Sequence, residues 1–477
     1  MSASHLPEEQ PSGTIATTLD KAGFTKAQFW VLMLILAGMF FDTLEQNSVG
    51  AMGANIKLSL GIGDNELTLI NTFTVIGGLI GRLAGGWLAD RYGRRAALSV
   101  NLLIYTLGGL LSAVAWNYEI LLASRLIVGI GLGGEFTIGI AMLSEMVSTK
   151  RRGALVAALN IGSGGVGNFL SYGLFFLLLG PFATGLGGDD TVWRWTFLFL
   201  ALPALLVVFY RRFLPETPRY LLSKGRVAEA NLSLNTLTSD SLRAPATPPT
   251  GPLTEADIPQ RQLKSSPAAV FARSVLPRTL TLGAASWMAF GAQVTLNFLM
   301  PTLLVARGYS ISESLLFTMI MNVGSLLGAV AAALLAGRVG RRSAVGGAAL
   351  LGCATAVLFA AFGNTTLWIL VLGAVFQFFT MITNTTLAVW SPELFPTAVR
   401  ASGTSIVNGI GNIAGAVMPF LAVALFGAYG LAGVFSMVAV MYALLVVASR
   451  FAPETRGRTL EQANENAPVP TLAAAAA

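Results

Sequence analysis

The chain has 477 residues, of which 54% are hydrophobic and 11% are charged, and its formal net charge is +7. An ordinary soluble domain has about 25% charged residues, so this composition excludes a soluble single-domain protein and a disordered chain. The only cysteine is Cys353, and the only histidine is His5, near the N-terminus. A disulfide framework is therefore excluded, as is any mechanism that needs a histidine base or histidine metal ligands in the body of the chain.

Apolar runs fall into two sets of six, and each run is long enough for a helix that crosses a bilayer. The first set covers residues 29–52, 67–88, 96–116, 119–143, 154–178 and 194–213. The second set covers residues 276–300, 312–335, 343–362, 366–389, 403–427 and 429–449. Because hydrocarbon offers a backbone group no partner outside its own helix, each run is predicted to be helical. We therefore predict an all-α membrane protein with 12 transmembrane helices in two pseudo-symmetric six-helix bundles, at residues 29–213 and 276–450.

The segments outside these spans are polar. Residues 1–28 are an N-terminal tail without a signal peptide, residues 214–275 are a central loop, and residues 451–477 are a C-terminal tail. Within the loop, residues 216–238 are predicted to form one or two amphipathic helices at the membrane surface. Residues 243–267 are polar and rich in proline, which predicts a segment that does not pack.

Lysine and arginine cluster in alternate loops between the spans. The clusters are Arg91, Arg94 and Arg95; Lys150, Arg151 and Arg152; Arg211 and Arg212; and Arg338, Arg341 and Arg342. Because cytoplasmic loops are enriched in these residues, both termini are predicted to be cytoplasmic. We expect a multi-pass protein of the cell membrane, which is the inner membrane in a Gram-negative cell, and no binding to nucleic acid.

Short charged motifs recur at matching positions in the two halves. The matches are residues 90–95 with 337–342, Glu145 and Arg152 with Glu393 and Arg400, and residues 215–217 with 453–455. Repeated parallel halves usually enclose a solute site at their interface, near the bilayer midplane.

Five ionisable residues lie inside the predicted spans and away from their ends, all in the first half: Asp42, Glu45, Arg82, Arg125 and Glu135. Such groups are costly in a membrane and are usually functional. Asp42 and Arg125 lie at depths that differ by roughly 6 Å, which predicts an Asp42–Arg125 pair that opens when Asp42 takes up a proton. The alternative is a fixed structural ion pair.

The other three groups have less specific predictions. Glu45, one turn from Asp42, is either a further proton-coupling group or a water-exposed residue at the mouth of the bundle. Glu135 is another proton-coupling candidate, or else a hydrogen-bonding partner of a neighbouring helix. Arg82, near the inner end of the second span, is predicted to extend its guanidinium to the membrane surface.

The second half has amide and aromatic side chains where the first half has charges. The predicted solute-binding residues are Arg125, Trp287, Gln293, Asn297, Gln377 and Asn384. The amides of each span are one or two turns apart, so they share one side of their helix. The alternative role for these amides is hydrogen bonding between helices.

Four motifs resemble the major facilitator superfamily and its sugar-porter branch. They are GGWLADRYGRR at 85–95, RLIVGIGLGGE at 125–135, LPETPRYLL at 214–222 and PETRGRTLE at 453–461. The segments NFLMPTLLVARGYS at 297–310 and SPELFPTAVRASG at 391–403 are similar to proton symporters of organic and aromatic acids. The double-glutamine signature of sugar carriers is absent from the seventh span, where Gln293 and Asn297 stand, so the resemblance favours an organic acid over a hexose.

The resemblance also implies a cytoplasmic latch that favours the outward-open state. Its residues are Gly86, Asp90, Arg91, Gly93, Arg94 and Arg95, joined in a charge network by Glu145, Arg152, Glu216, Arg219, Glu393 and Arg400. The second half has Gly337 where the first has Asp90, which predicts a weaker latch there. The alternative is that these cations only set the orientation in the membrane.

We therefore expect a secondary active transporter that imports a small organic solute by proton symport and alternating access. An organic or aromatic acid is the first expectation for the solute, and a sugar or polyol is the second. An uncoupled facilitator and a proton-driven drug exporter are the alternatives; GSGGVG at 162–167 lacks the proline of the antiporter motif, which disfavours export. No enzymatic activity, cofactor or metal is expected. The expected partners are the solute, protons and membrane lipid, and the expected state is a monomer.

Overall fold

The structure is a computed structural model, and it describes residues 12–148, 151–242, 251–258, 270–336, 338–396 and 399–456. The first half contains α1 (Ser12–Ala22), α2 (Lys26–Ala51), α3 (Gly53–Leu60), α4 (Asp64–Tyr92), α5 (Arg94–Ala113), α6 (Tyr118–Met146), α7 (Arg152–Asn160), α8 (Asn168–Leu179), α9 (Val192–Phe199) and α10 (Ala204–Phe213). The short helices α11 (Pro218–Ser223) and α12 (Val227–Thr238) follow. The second half contains α13 (Leu276–Ala306), α14 (Ile311–Leu335), α15 (Arg341–Phe362), α16 (Thr366–Glu393) and α17 (Arg400–Phe451).

Eleven helical segments of the described chain are long and apolar enough to cross a membrane. The last, Ser402–Phe451, has 50 residues and would be about 75 Å long as a straight helix, more than twice the hydrocarbon thickness. It is interrupted at Gly430, whose φ of 62° and ψ of −152° are accessible mainly to glycine, so α17 supplies two spans. The described chain therefore has 12 spans, and the predicted all-α membrane fold with 12 transmembrane helices is confirmed.

The fifth span, Ala154–Leu179, is irregular in its middle. Residues Ile161–Gly167, with the sequence IGSGGVG, form a π-helix between α7 and α8. The wider turn changes the backbone hydrogen bonding, and the carbonyl of Ser163 accepts the hydroxyl of Thr43 from α2 at 3.3 Å. Short π-helical segments inside α-helices are frequent at functional sites. This one lies against α2, the helix that carries Asp42 and Glu45.

Most of the contacts between the two halves are made by three helix pairs, which are α2 with α13, α4 with α17, and α8 with α14. At the end away from the termini, Gly50 of α2 lies against the backbone of Phe298 of α13 and leaves no room for a Cβ. Nearby, the hydroxyl of Tyr172 in α8 donates to the carbonyl of Asn297 in α13. The halves are therefore in close contact at the end of the bundle opposite the termini.

A layer of short helices covers the first half at the end where the termini lie. Ile15 and Leu19 of α1 are buried in one cluster with Leu234 of α12 and with Leu253. The side chain of Asn231 holds both backbone groups of Leu253, at 2.9 and 3.0 Å. One prediction is therefore corrected.

The correction concerns the proline-rich segment, since residues 251–258 pack through Leu253. Residues 243–250 and 259–267 of that segment lie outside the described residues. The N-terminal tail contains the helix α1, whose apolar residues are buried against α12. The amphipathic helices predicted for residues 216–238 are present as α11 and α12.

Candidate functional site

Two buried carboxyl groups face each other inside the first half. Asp42 of α2 and Glu135 of α6 are 4% and 2% exposed, and their carboxyl groups lie within hydrogen-bonding range of one another. No amide, hydroxyl or cationic donor of the described chain reaches Asp42 Oδ1 or either oxygen of Glu135. Tyr210 lies beside them and donates to the carbonyl of Leu34 at 3.1 Å. Position 38 is glycine because a Cβ there would overlap Glu135 Oε1 and Tyr210 Oη.

Arg125 pairs with Glu45, which corrects the predicted Asp42–Arg125 pair. The two side chains are 0% and 1% exposed, and Arg125 Nη1 forms an ion pair with Glu45 Oε1. The guanidinium also donates to the Glu45 carbonyl at 3.3 Å and lies 5.2 Å from the centre of the Phe197 ring. Glu45 is therefore buried and is not a water-exposed residue at the mouth. These partners of Arg125 all belong to the first half.

The bounds of the two helices explain this pairing. Glu45 lies six residues before the end of α2, and Arg125 lies seven residues after the start of α6, so their depths differ by only about 2 Å. Asp42 is almost one turn deeper and faces Glu135 instead. The first half therefore holds one neutral ion pair and, beside it, one pair of carboxyl groups.

Amide side chains meet where the two halves are in contact. Gln377 Nε2 donates to Asn297 Oδ1 at 2.7 Å, and the Asn297 carbonyl accepts the Tyr172 hydroxyl from the first half. Gln377 Oε1 is buried and has no hydrogen-bond partner in the described chain. On the side of the first half, Asn47 Nδ2 donates to Asn168 Oδ1 at 2.9 Å. These groups offer both donors and acceptors to a polar solute.

Of the residues predicted to bind solute, Asn297 and Gln377 form a hydrogen bond with one another. Asn384 donates to the carbonyl of Thr380 in its own helix at 3.1 Å, while Gln293 and Trp287 are half-buried on α13. Sequence reasoning missed Tyr172, which donates to the Asn297 carbonyl, and the polar cluster of Asn47, Asn168 and Ser171 in the first half. A lone polar residue in an apolar run gives no signal of its partner. The solute-binding role stays a prediction for all of these residues.

Arg82 does not extend to the membrane surface, which corrects a further prediction. Its Nη2 donates to Asn412 Oδ1 of α17 at 3.1 Å. The predicted span ended close to Arg82, but α4 continues to Tyr92, so Arg82 lies ten residues, or about 15 Å, from the end of the helix. This hydrogen bond joins the first half to the second.

The latch residues of the first half surround Arg94, at the start of α5. The Arg94 guanidinium lies 3.2 Å from Glu145 and 3.6 Å from Asp90. The carboxylate of Glu216 accepts the backbone N–H of Arg94 at 2.9 Å and that of Arg95 at 3.2 Å, so it satisfies unpaired donors at the start of α5. Glu216, in the motif that follows the sixth span, therefore caps α5, the helix of the third span.

The remaining latch residues lie around this group. Gly86 is exposed, and the guanidinium of Arg91 stacks on a tryptophan ring of its own helix at 5.2 Å. Arg152 lies near Arg219; burial and then the like charge of Arg219 lower the pKa of Arg152. Arg400 donates to two backbone carbonyls around the end of α16, at 3.0 and 3.3 Å. The latch role of these residues stays a prediction.

The second half repeats the cap. Glu454 accepts the backbone N–H groups of Arg341 at 2.8 Å and Arg342 at 3.1 Å, at the start of α15. The Arg341 guanidinium lies 3.4 Å from Glu393. Gly337, on which the prediction of a weaker latch depends, lies outside the described residues.

The two capping glutamates differ in their electrostatic surroundings. Burial raises the pKa of Glu216, and the backbone N–H groups that it accepts only partly oppose this effect. Burial also acts to raise the pKa of Glu454, but four backbone N–H donors outweigh it, and the net effect is a lowered pKa. Gly93 makes room for the first cap, since its φ is 102° and the Glu216 carboxylate occupies the space of a side chain.

The sequence matches the family model "Sugar (and other) transporter" over residues 30–467. The inner membrane metabolite transport protein YdjE of Escherichia coli is 30% identical over 471 residues, covering 94% of this chain and 98% of that protein. The niacin transporter NiaP of Acinetobacter baylyi is 28% identical over 453 residues, covering 94% and 99%. The inward-open structure of the xylose transporter XylE from E. coli is 18% identical, with a TM-score of 0.71 over 92% of this chain and 99% of XylE.

These matches extend over nearly the whole chain and include its repeated charged motifs. They agree with the 12 membrane spans and the paired six-helix halves. The chain therefore belongs to the sugar (and other) transporter family within the major facilitator superfamily, and it is a multi-pass membrane transporter of a small solute, not an enzyme.

Proposed function

We propose that the protein imports a small organic acid together with protons by alternating access. The observation that carries this proposal is the contact between the buried carboxyl groups of Asp42 and Glu135. Two like charges in contact, away from water, are strongly disfavoured, so the two groups share a proton. Uptake of a second proton then neutralises them, and its release restores one charge.

This change of charge occurs on the helix that joins the two halves. Asp42 is in α2, which contacts α13 of the second half, and Gly50 at the far end of α2 lies against Phe298. A protonation state that alters how α2 packs on α6 alters that contact as well, because densely packed interiors transmit small shifts. Proton uptake would thereby bias which end of the bundle is closed.

The choice of solute rests on the similarity to known transporters and on the amides. NiaP carries niacin, an aromatic carboxylic acid, and is similar to this chain over nearly its full length. A sugar or polyol is the second candidate, because the amides around Asn297 and Gln377 suit hydroxyl groups and XylE carries xylose.

Uptake into proteoliposomes tests the coupling. With an acidic exterior, Asp42→Asn and Glu135→Gln are each expected to abolish accumulation above the outside concentration, since only the proton cycle needs a titratable pair. Exchange of labelled for unlabelled solute should persist in Asp42→Asn. Glu119→Gln is the matched control, because Glu119 is an exposed acid in the first turn of α6.

The same assay separates the alternatives. Full accumulation in both variants would contradict proton coupling through this pair and would favour an uncoupled facilitator. Loss of preloaded solute driven by an acidic exterior at the same protein orientation, and accumulation driven by an acidic interior, would favour an exporter, because an antiporter moves solute against the flow of protons.

A further inference from the structure

Arg82 is a cation inside the membrane spans that has no carboxylate partner in the described chain. Arg125, which also lies away from the ends of its span, is neutralised by Glu45. The ion pairs among the described residues do not include Arg82, whose guanidinium donates to the neutral amide oxygen of Asn412. Arg82 is half-buried. A cation without a counter-charge is costly at this depth, and in membrane spans such groups mark the paths of ions and substrates.

The position of Arg82 on α4 turns it toward the space between the halves. One side of α4 faces α6, since Gly77 and Gly81 lie against the α6 backbone. Another side faces α17, where Thr72 donates to the Ala416 carbonyl at 2.9 Å. With about 100° between successive residues, Arg82 lies between these two sides and away from the exposed apolar residues Ile76, Ile80, Leu83 and Trp87.

The partner residues on α17 face the same space. Gly411 and Gly415 lie against α13, and Ala416 faces α4 through its carbonyl. Asn408 and Asn412, one turn apart, fall between these two sides, opposite the exposed residues Ile413, Val417 and Leu421. Asn408 is exposed and Asn412 is 7% exposed, so the amide pair extends from the surface of the inter-half space inward to Arg82.

We propose that Arg82, with Asn408 and Asn412, binds the carboxylate of the transported acid; this inference rests on the proposed function. The solute carboxylate takes the place of Asn412 Oδ1 as the acceptor of the guanidinium, which offers two parallel N–H donors to a carboxylate. The Asn412 amide then turns its N–H groups to the same ligand. Because Arg82 belongs to the first half and Asn412 to the second, the bound anion connects both halves.

This carboxylate site is separate from the carboxyl pair but lies at the same depth. Arg82 is ten residues from the end of α4, and Glu135 is eleven residues from the end of α6, so both are about 15 to 17 Å from the end of the bundle that bears the termini. Gly133 of α6 lies beside the backbone of Arg82, and Glu135, two residues on, faces α2 on the other side of α6. The anion and the proton thus bind on opposite sides of one helix.

Calorimetric titration of the purified protein tests this assignment, with niacin and benzoate as acids and their uncharged amides, nicotinamide and benzamide, as matched probes. Arg82→Gln is expected to weaken acid binding at least about tenfold and to remove the preference of acid over amide. Arg82→Lys should recover only part of the affinity, because an ammonium lacks the planar pair of donors. Asn412→Asp should also weaken acid binding, since it supplies Arg82 with a carboxylate of the chain itself.

Arg307→Gln is the control, because Arg307 is an arginine just beyond the end of α13 that donates to the Gly363 carbonyl, away from this group. It should bind acids as the wild type does. If the wild type binds an acid and both Arg82→Gln and Asn412→Asp bind it equally well, the assignment of Arg82 is overturned and the proposed function stands. If the wild type binds neither acid, the organic-acid proposal and the Arg82 site both fall.

Discussion

The ion pair between Glu45 and Arg125 gives a sharp test of the charge arrangement in the first half. In Glu45→Gln the shape of the side chain is kept, but the guanidinium of Arg125, which is 0% exposed, loses its counter-charge. The contacts that remain are long: 3.3 Å to the Glu45 carbonyl, 3.5 Å to Ser48 Oγ and 3.4 Å to Thr74 Oγ1. Hydrogen bonds of this length contribute little.

Removing one partner of a buried ion pair destabilises proteins by about 3 to 5 kcal/mol, which sets the expected loss in the free energy of unfolding of Glu45→Gln. The glutamine oxygen still accepts one hydrogen bond, so the lower end of this range, about 3 kcal/mol, is expected. Arg125→Gln should cost less, because Glu45 can take up a proton whereas an arginine cannot give one up. The double variant Glu45→Gln/Arg125→Gln leaves two neutral amides and should be more stable than Glu45→Gln alone.

Reversible unfolding with SDS in mixed micelles, followed by tryptophan fluorescence, measures these free energies. Lys57→Gln is the control, because the Lys57–Asp64 pair is partly exposed, at 28% and 43%, and should contribute less than about 1 kcal/mol. A cost below about 1 kcal/mol for Glu45→Gln, or a double variant no more stable than Glu45→Gln, would refute the account of a buried and mutually dependent pair.

The capping glutamates are expected to respond differently to acid. The lowered pKa of Glu454 means that its cap stabilises the fold at neutral pH and that this stabilisation is lost as the pH falls through that pKa. Glu454→Gln should therefore lower the free energy of unfolding by about 2 kcal/mol at pH 7, and by less in acid. The raised pKa of Glu216 means that its contribution to stability falls as the pH rises through that pKa. Glu216→Gln should therefore lower the free energy of unfolding at pH 7 by less than Glu454→Gln does. Identical pH profiles of stability for the two variants would contradict this difference. Uptake of a monovalent acid is expected to be independent of membrane potential at a fixed pH gradient; valinomycin-clamped proteoliposomes measure this, and faster uptake at an inside-negative potential would count against it.

The fold could be predicted from the sequence because each span is an apolar run bounded by polar residues. Even the break in α17 follows this pattern, since the predicted boundary at 427–429 lies next to the kink at Gly430. The pairing of charges was wrong although the bounds were nearly right. The predicted first span ended one residue beyond α2, and the predicted fourth began one residue inside α6, so these bounds already placed Glu45 nearer than Asp42 to the depth of Arg125. The Asp42–Arg125 prediction accepted a depth difference of roughly 6 Å, which is about one helical turn too large.

The contact between Asp42 and Glu135 was beyond sequence reasoning for a different reason. A prediction from sequence pairs residues of opposite charge, whereas Asp42 and Glu135 have the same charge and need a shared proton for their contact to be stable. Its geometry also depends on the missing side chain at Gly38 and on Tyr210 from the sixth span. Arg82 was misplaced because a hydropathy boundary was taken as the end of the helix, and α4 continues for another turn to Tyr92.

The proposed function accounts for the charges that lie away from the ends of the membrane spans in the described chain. In that proposal Asp42 and Glu135 share one proton and carry one negative charge, Glu45 and Arg125 cancel, and Arg82 carries one positive charge, so these groups are neutral overall. Binding of a carboxylate at Arg82 alone would leave one negative charge without compensation, and uptake of a second proton alone would leave one positive charge. Binding both restores neutrality, and an uncompensated charge at this depth is costly. The rocking of the two halves should therefore be fastest with both ligands bound or with neither, which is the rule that a one-to-one proton symporter requires.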